Sequence, residues 1–274
     1  MAITPPTVIC RCWSSRKRRA KGEQELIGAV LRPGNVHGDH KAMALIQRMA
    51  ARLRQAFPGC IIELRADSAL ALPEVYEGGE RNRLLYTISL PKNERLTALA
   101  ETWLTQARRR HEARGEKEKV FGEFSYAAQS WSRERRVIVK AEVMSKGENP
   151  RFIVTNRTAV EPEMLYHYYC QRGDPENRIK EIKAGLKADR LSCQRFWANQ
   201  FRLLLHAAAY VLMQTLRARL ARTELACAQV ETLRLRLLKV GARSSESVRR
   251  VWVHLPSAYP GMQFWSCLAR AAPA

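Results

Sequence analysis

Three short apolar runs, each closed by a turn or breaker signal and separated by stretches of helical spacing, constrain this chain most. Leu26–Leu31 is closed by Arg32-Pro33-Gly34, Ile61–Asp67 ends in an acid, and Leu84–Leu90 stops at Pro91. Runs of this length bounded by breakers read as buried strands. Between the first two, within His37 to Phe57, Met43, Ile46, Met49, Leu53 and Phe57 recur at helical spacing. Leu70–Asn82 and Asn93–Glu116 read as further helices. Alternating strands and helices predict an α/β layer fold.

The texture changes at Val120. Phe121–Tyr126, Arg136–Val143 and Arg151–Thr155 read as strands, with a turn over residues 145–150, and together predict an inserted antiparallel unit. After Pro162 the pattern is helical, first to about Lys187 and then over Arg195–Arg222. In the second helix Phe201, Leu204, Leu205, Ala208, Leu212 and Leu216 share one stripe. Glu231–Leu238 reads as a short helix, and Arg243–Leu255 as a turn paired with a strand.

Charge narrows the partners. Among 274 residues, 47 Lys and Arg face 26 Asp and Glu, a formal net charge of +21. Such an excess points to a polyanion, DNA or RNA first, with a basic ribosome-associated protein as the other reading. No apolar run reaches the roughly 18 residues of a membrane span, and no secretory leader pattern opens the chain, so a cytoplasmic, nucleoid-associated protein is expected. Seven cysteines include no C-x2-C pair, which argues against a zinc ribbon or a disulfide framework. The basic segment 1–22 has no periodicity and reads either as a disordered tail or as a DNA-contacting arm.

Two constellations carry chemistry. The first is Tyr169-x2-Arg172-x3-Glu176-x6-Lys183. On one continuous helix these residues and Lys180 would fall within an arc of roughly 60°. Glu176 could then hold a metal while the cations engage phosphates. Pro175 opens the alternative of two helical pieces with a bend, Asp174 capping the second. Ile179, Ile182 and Leu186 would form the adjoining core stripe. The second constellation is Leu64-Arg65-Ala66-Asp67-Ser68, an acid at the carboxyl end of a buried strand, where α/β sheets place ligands. His37-x2-His40 lacks further ligands for zinc, and Asp39 beside it reads as a helix cap.

In their order these motifs resemble those of DDE-class insertion-sequence transposases with the Y-x2-R-x3-E-x6-K signature. Leu64–Ser68 resembles the second acidic motif of that family, and Tyr169–Lys183 the third. Gln129–Lys140 resembles the β-rich insertion between them. Arg190–Cys193, Ala198–His206, Tyr210 and Leu233–Ala242 are similar to the helical region that follows. The likeness spans roughly residues 25 to 255.

The resemblance implies an RNase H-like core, here without its first strands, a β-rich insertion and a helical carboxyl-terminal region. Mapped onto the chain, these are a basic segment at 1–22, a partial core at 23–118, the insertion at 119–158, the helical part at 159–240 and a last segment at 241–274. It implies Mg²⁺- or Mn²⁺-dependent cleavage and transfer of double-stranded DNA, at transposon ends and target, with a homodimer as an open option. Asp67 and Glu176 would be the catalytic, metal-binding acids. Tyr169, Arg172, Lys180 and Lys183 would contact phosphate. Arg133, Arg135, Arg136 and Lys140 suit phosphate contacts too. Trp131 would either stack on an extruded base or fill the core. The first acid of the family's triad lies on a strand ahead of Leu26–Leu31, and residues 1–22 contain no Asp. The expectation is therefore the carboxyl-terminal portion of a transposase from a truncated or frame-disrupted gene, keeping DNA affinity without catalysis.

Overall fold

The computed structural model describes residues 11–13, 26–33, 41–171 and 173–270. They fall into two compact units, one within Gly34–Glu176 together with the strand at Arg11–Trp13, the other made of Gln24–Pro33 and Asn177–Ala274.

The first unit is built on a seven-stranded mixed sheet. Its strands are β1 (Arg11–Trp13), β2 (Ile61–Ala66), β3 (Leu85–Leu90), β4 (Glu118–Tyr126), β5 (Arg135–Met144), β6 (Gly147–Glu148) and β7 (Arg151–Thr155). Their order is β1-β2-β3-β7-β5-β4, with β6 on β5. β2 and β3 are parallel, and every other pairing is antiparallel. The crossover between β2 and β3 holds helix α2 (Pro73–Arg81). Pro73 opens that helix where its missing N–H costs nothing, after an extended Leu72. The expected insertion is thus continuous with the core sheet, because β7 pairs with β3.

Period two gives this sheet two unlike faces. Leu64, Ala66, Tyr86, Ile88, Val154, Val137, Val139 and Ala141 point one way and form one apolar core. Helices α1 (Ala42–Ala56), α2, α3 (Glu94–Leu99) and α4 (Glu101–Arg114) supply its other half through Met43, Ile46, Val75, Tyr76, Leu96 and Leu104. Gly122 on β4 lets the Trp103 indole lie against the strand, since a Cβ there would meet Trp103 Nε1 at 2.0 Å. The opposite face carries Glu63, Arg65, Thr87, Thr155, Arg136, Lys140 and Glu142. Helix α5 (Pro162–Cys170) covers its middle, where Leu165 and Tyr166 pack on Ile138 and Ile153.

The predicted helix Asn93–Glu116 divides at Ala100, whose N–H is shared between Leu96 and Thr97 carbonyls. Asn93 caps the first piece through Leu96 N at 2.8 Å. Gly115, at φ 69°, closes the second with its N–H on His111 O.

The second unit is helical, with α6 (Gly173–Leu186, its first turn counted with the sheet unit), α7 (Phe196–Arg219) and α8 (Val230–Leu233), which continues as a π turn over Arg234–Leu238. A hairpin of β8 (Arg243–Ser247) and β9 (Arg250–His254) and helix α9 (Met262–Arg270) follow. Tyr210, Met213, Leu220, Val230, Leu233 and Phe264 form the core, with Ile182 and Leu186 packed against it.

Two expectations fail here. Leu26–Leu31 is not a strand. Leu31 is buried with Ala188 and Leu203, and the Gln200 side-chain amide binds Leu31 N at 2.7 Å and Ala29 O at 3.2 Å. A helix side chain thereby satisfies two backbone groups that a neighbouring strand would otherwise take. On α7 the apolar stripe of Phe201, Leu204, Leu205 and Leu212 faces out, while Leu203, Tyr210, Met213 and Arg217 face in.

Candidate functional site

The site grows from the last turn of β2. Glu63 and Arg65, two residues apart, point to the α5 face, and both are buried. A buried charge requires partners, and α5 with its neighbours provides them. Glu63 accepts from Tyr168 Oη at 2.7 Å, Thr87 Oγ1 at 3.3 Å and Arg157 at 3.3 Å. Arg65 donates to the Tyr168 carbonyl at 2.6 Å and lies 4.2 Å over the Tyr168 ring. Arg157 approaches the same ring at 5.2 Å. Tyr168 is therefore gripped at its ring, hydroxyl and carbonyl. That grip fixes the carboxyl end of α5, where Tyr169 follows. Sequence reasoning missed Glu63, Arg65 and Tyr168. The available signal was two charges inside an otherwise apolar strand.

Asp67 follows Ala66 with extended backbone and caps the short 3-10 turn Ser68–Leu70, its Oδ1 accepting from Ala69 N at 3.1 Å. It is half-buried, at the carboxyl end of the parallel β2–β3 pair.

The signature tract is two helices rather than one. α5 ends at Cys170 and α6 starts at Gly173, so Tyr169 does not share a helix with Glu176. Pro175 sits in the first turn of α6, where proline is tolerated. Arg172 and the side chain of Glu176 lie outside the described residues, as do Asp39, His37, His40 and most of segment 1–22. Lys180 is exposed and Lys183 half-buried. At positions four and seven after Glu176 they remain on its side of α6.

Within that helix Glu181 holds the helical unit together. Its carboxylate accepts from Arg217, from Arg178 at 3.1 Å, from Tyr210 Oη at 3.1 Å and from Val230 N at 2.7 Å, the last at the start of α8. Burial opposes ionisation, yet these donors hold its pKa below the ordinary carboxylate value.

The basic residues of the insertion divide between the two faces. Arg135 points into the apolar core with 2% of its side chain exposed. It grips Glu80 through Nε at 2.9 Å and a second nitrogen at 3.1 Å, beside the rings of Tyr76 and Trp131. Burial works against the Glu80 carboxylate, but Arg135, Tyr86 and Arg133 lower its pKa. Trp131, half-buried, packs edge-on against Tyr76 at 5.0 Å and Tyr126 at 5.4 Å. Arg133 reaches Glu80 at 2.8 Å from a largely exposed position. On the other face Arg136 binds Glu123 and the carbonyls of Arg157 at 2.6 Å and Val160 at 2.8 Å. Lys140 binds Glu142 at 3.0 Å.

Among the described residues no three His, Cys, Asp or Glu side chains come together as a metal site. No helix among the described residues is long and apolar enough to cross a membrane.

A mixed sheet, covered by helices and carrying an acid at the end of its parallel pair, defines an α/β protein. The chain matches the transposase DDE domain, group 1, over residues 20–273, and it belongs to that family. It is a transposase by family. The comparison with curated proteins finds no match.

Proposed function

We propose that this chain binds DNA, and that Asp67 and Glu176 are two of the acids that hold Mg²⁺ or Mn²⁺ at a phosphodiester, in a core of RNase H-like type. The observation that carries the reading is the tie between the two motifs. β2 delivers Asp67, and the same strand, through Arg65 and Glu63, fixes Tyr168 and with it the end of α5, two residues before the helix that contains Glu176 begins. Tyr169, Arg172, Lys180 and Lys183 then serve phosphate contacts. Carboxylates suit Mg²⁺, which takes oxygen ligands and keeps several waters. A bound divalent ion would supply charge neutralisation at the attacking and leaving oxygens.

The substrate is double-stranded DNA, transposon ends and target. Fluorescence anisotropy on labelled duplex, run beside a strand-cleavage assay in Mg²⁺, tests the reading. Salt-sensitive binding is expected, and any Mg²⁺-dependent strand cleavage should be lost in Asp67→Asn and in Glu176→Gln. Absence of DNA binding would overturn the reading.

A further inference from the structure

A second cluster of charge lies on the α5 face of the sheet, away from β2. A cleft of about 310 Å³ is lined by Lys117, Lys119, Phe121, Lys140, Glu142 and Tyr166. Its lining follows from register. Phe121 lies opposite Lys140, and Lys119 opposite Glu142, so period two turns all four to one face. Lys117 stands just before β4, and α5 contributes the Tyr166 ring.

The charges in the cleft do not balance. Three ammonium groups meet one carboxylate. Glu142 is nearly buried, with 5% of its side chain exposed, and accepts from Lys117 at 2.7 Å and Lys140 at 3.0 Å. Asn149 donates to its other oxygen at 3.1 Å. The Lys119 ammonium stands 5.6 Å over the Phe121 ring, and that of Lys140 stands 5.4 Å over Tyr166. Arg151, exposed and directly opposite Lys140 on β7, adds a further positive charge at the rim. Glu142 therefore fixes two of the lysines in place without cancelling the cluster. A lysine-lined cleft of this kind is unlike the mostly apolar pockets that take drug-like ligands. Its ammonium groups suit phosphate as point charges.

The position also fits a polymer. The register passes from Ala66 to Ile88 to Val154 to Val137, and Lys140 and Arg151 lie three rows beyond that line, toward the end of the sheet where β2 delivers Asp67. Three rows along and three strands across put Lys140 roughly 15–20 Å from the end of β2, with Arg151 one strand nearer, on the order of one duplex width.

We infer that this cleft is a second DNA-contact site, where the phosphodiester backbone of a duplex engaged near Asp67 rests on Lys117, Lys119 and Lys140. The inference rests on the DNA-binding reading above. Its test is anisotropy of a labelled duplex between 50 and 200 mM salt, for wild type, Lys119→Gln, and the triple variant Lys117→Gln/Lys119→Gln/Lys140→Gln. A control of equal charge change is Arg48→Gln/Arg52→Gln/Arg109→Gln, all three exposed on helices of the opposite face. The lysine triple variant is expected to flatten the slope of log affinity against log salt by about 2–3, near 0.9 for each phosphate no longer neutralised, and Lys119→Gln by about 1. The control is expected to change it by less than half as much. Lys119 stands over a ring rather than against a carboxylate, so Lys119→Gln reports on DNA even if the triple variant weakens the fold. A lysine triple variant that matches wild type, or matches the control, overturns the inference and leaves DNA binding standing. A wild-type chain that does not bind DNA overturns the earlier reading, and this one with it.

Discussion

The two faces of one sheet use opposite solutions. On the face under α1 to α4, side chains are largely apolar, and buried Arg135 is paired with Glu80. On the face under α5, charge is the rule and apolar contacts are confined to the patch where Leu165 and Tyr166 touch the strands. The same backbone ladder supports both. The first face has the composition of a folding core, whereas the second carries buried Arg65 at one end and exposed Lys117 and Lys119 at the other. What separates the two is alternation along β5, because neighbouring Arg135 and Arg136 belong to different chemistries.

This contrast can be broken at several points. The largest effect is expected for Glu80→Ala, which strands the buried Arg135 guanidinium. Breaking a buried pair from one side costs about 3–5 kcal/mol, read from denaturant unfolding of the sheet unit. Arg133→Ala, which removes an exposed partner of the same acid, should cost less than about 1 kcal/mol. Equal losses would show that the Glu80 cluster is a surface feature. Next comes Ile88→Ala, fully buried on the apolar face, with a loss of about 3 kcal/mol. Gly122→Ala should cost about 1–3 kcal/mol, since its Cβ cannot coexist with Trp103 in place. Lys119→Gln on the other face should stay within about 0.5 kcal/mol of wild type, and is expected to flatten the salt dependence of DNA binding.

Acid should also act on the charged face. Burial raises the Glu142 pKa, but Lys117, Lys140 and Asn149 outweigh it and bring the carboxyl down to about 2. A carboxyl lowered in the folded state contributes stability that is fully present above its unfolded value of about 4.3. That contribution is lost as pH falls through about 2. Unfolding midpoints measured between pH 5 and pH 2 should therefore drop less for Glu142→Gln than for wild type. Parallel curves would remove Glu142 from its assigned role as the fixed anchor of the lysines.

Much of this was legible in sequence where local pattern decides. β2, β3, β4, β5 and β7 form within a few residues of the predicted runs, since short apolar segments between breakers leave few alternatives. Leu26–Leu31 misled because an apolar run shows that a segment is buried but not what buries it. Gln200, about 170 residues away, cannot be read as its partner. The α7 stripe misled for a related reason. Periodicity finds an apolar face, yet Leu203, Tyr210 and Met213 on the other side make the core. Of the site, Asp67 was visible as an acid ending a buried strand, and the two-helix form of the signature was visible in Pro175. The Glu63–Arg65–Tyr168 grip and the Glu181 hub were not, because their partners lie far along the chain. Arg135 could have been placed by phase, since it alternates in step with Val137, Val139 and Ala141.

Asp67→Asn isolates the proposed binding of a divalent metal by Asp67 and Glu176. Asn caps a helical turn as well as Asp does, so the Ser68–Leu70 turn and the unfolding midpoint should be preserved. Mn²⁺ binding in the presence of duplex DNA, followed by electron paramagnetic resonance, is the direct measurement. At least a tenfold weaker affinity is expected for Asp67→Asn, and likewise for Glu176→Gln, at an unchanged midpoint. Mn²⁺ affinity equal to wild type in a folded Asp67→Asn variant would contradict it.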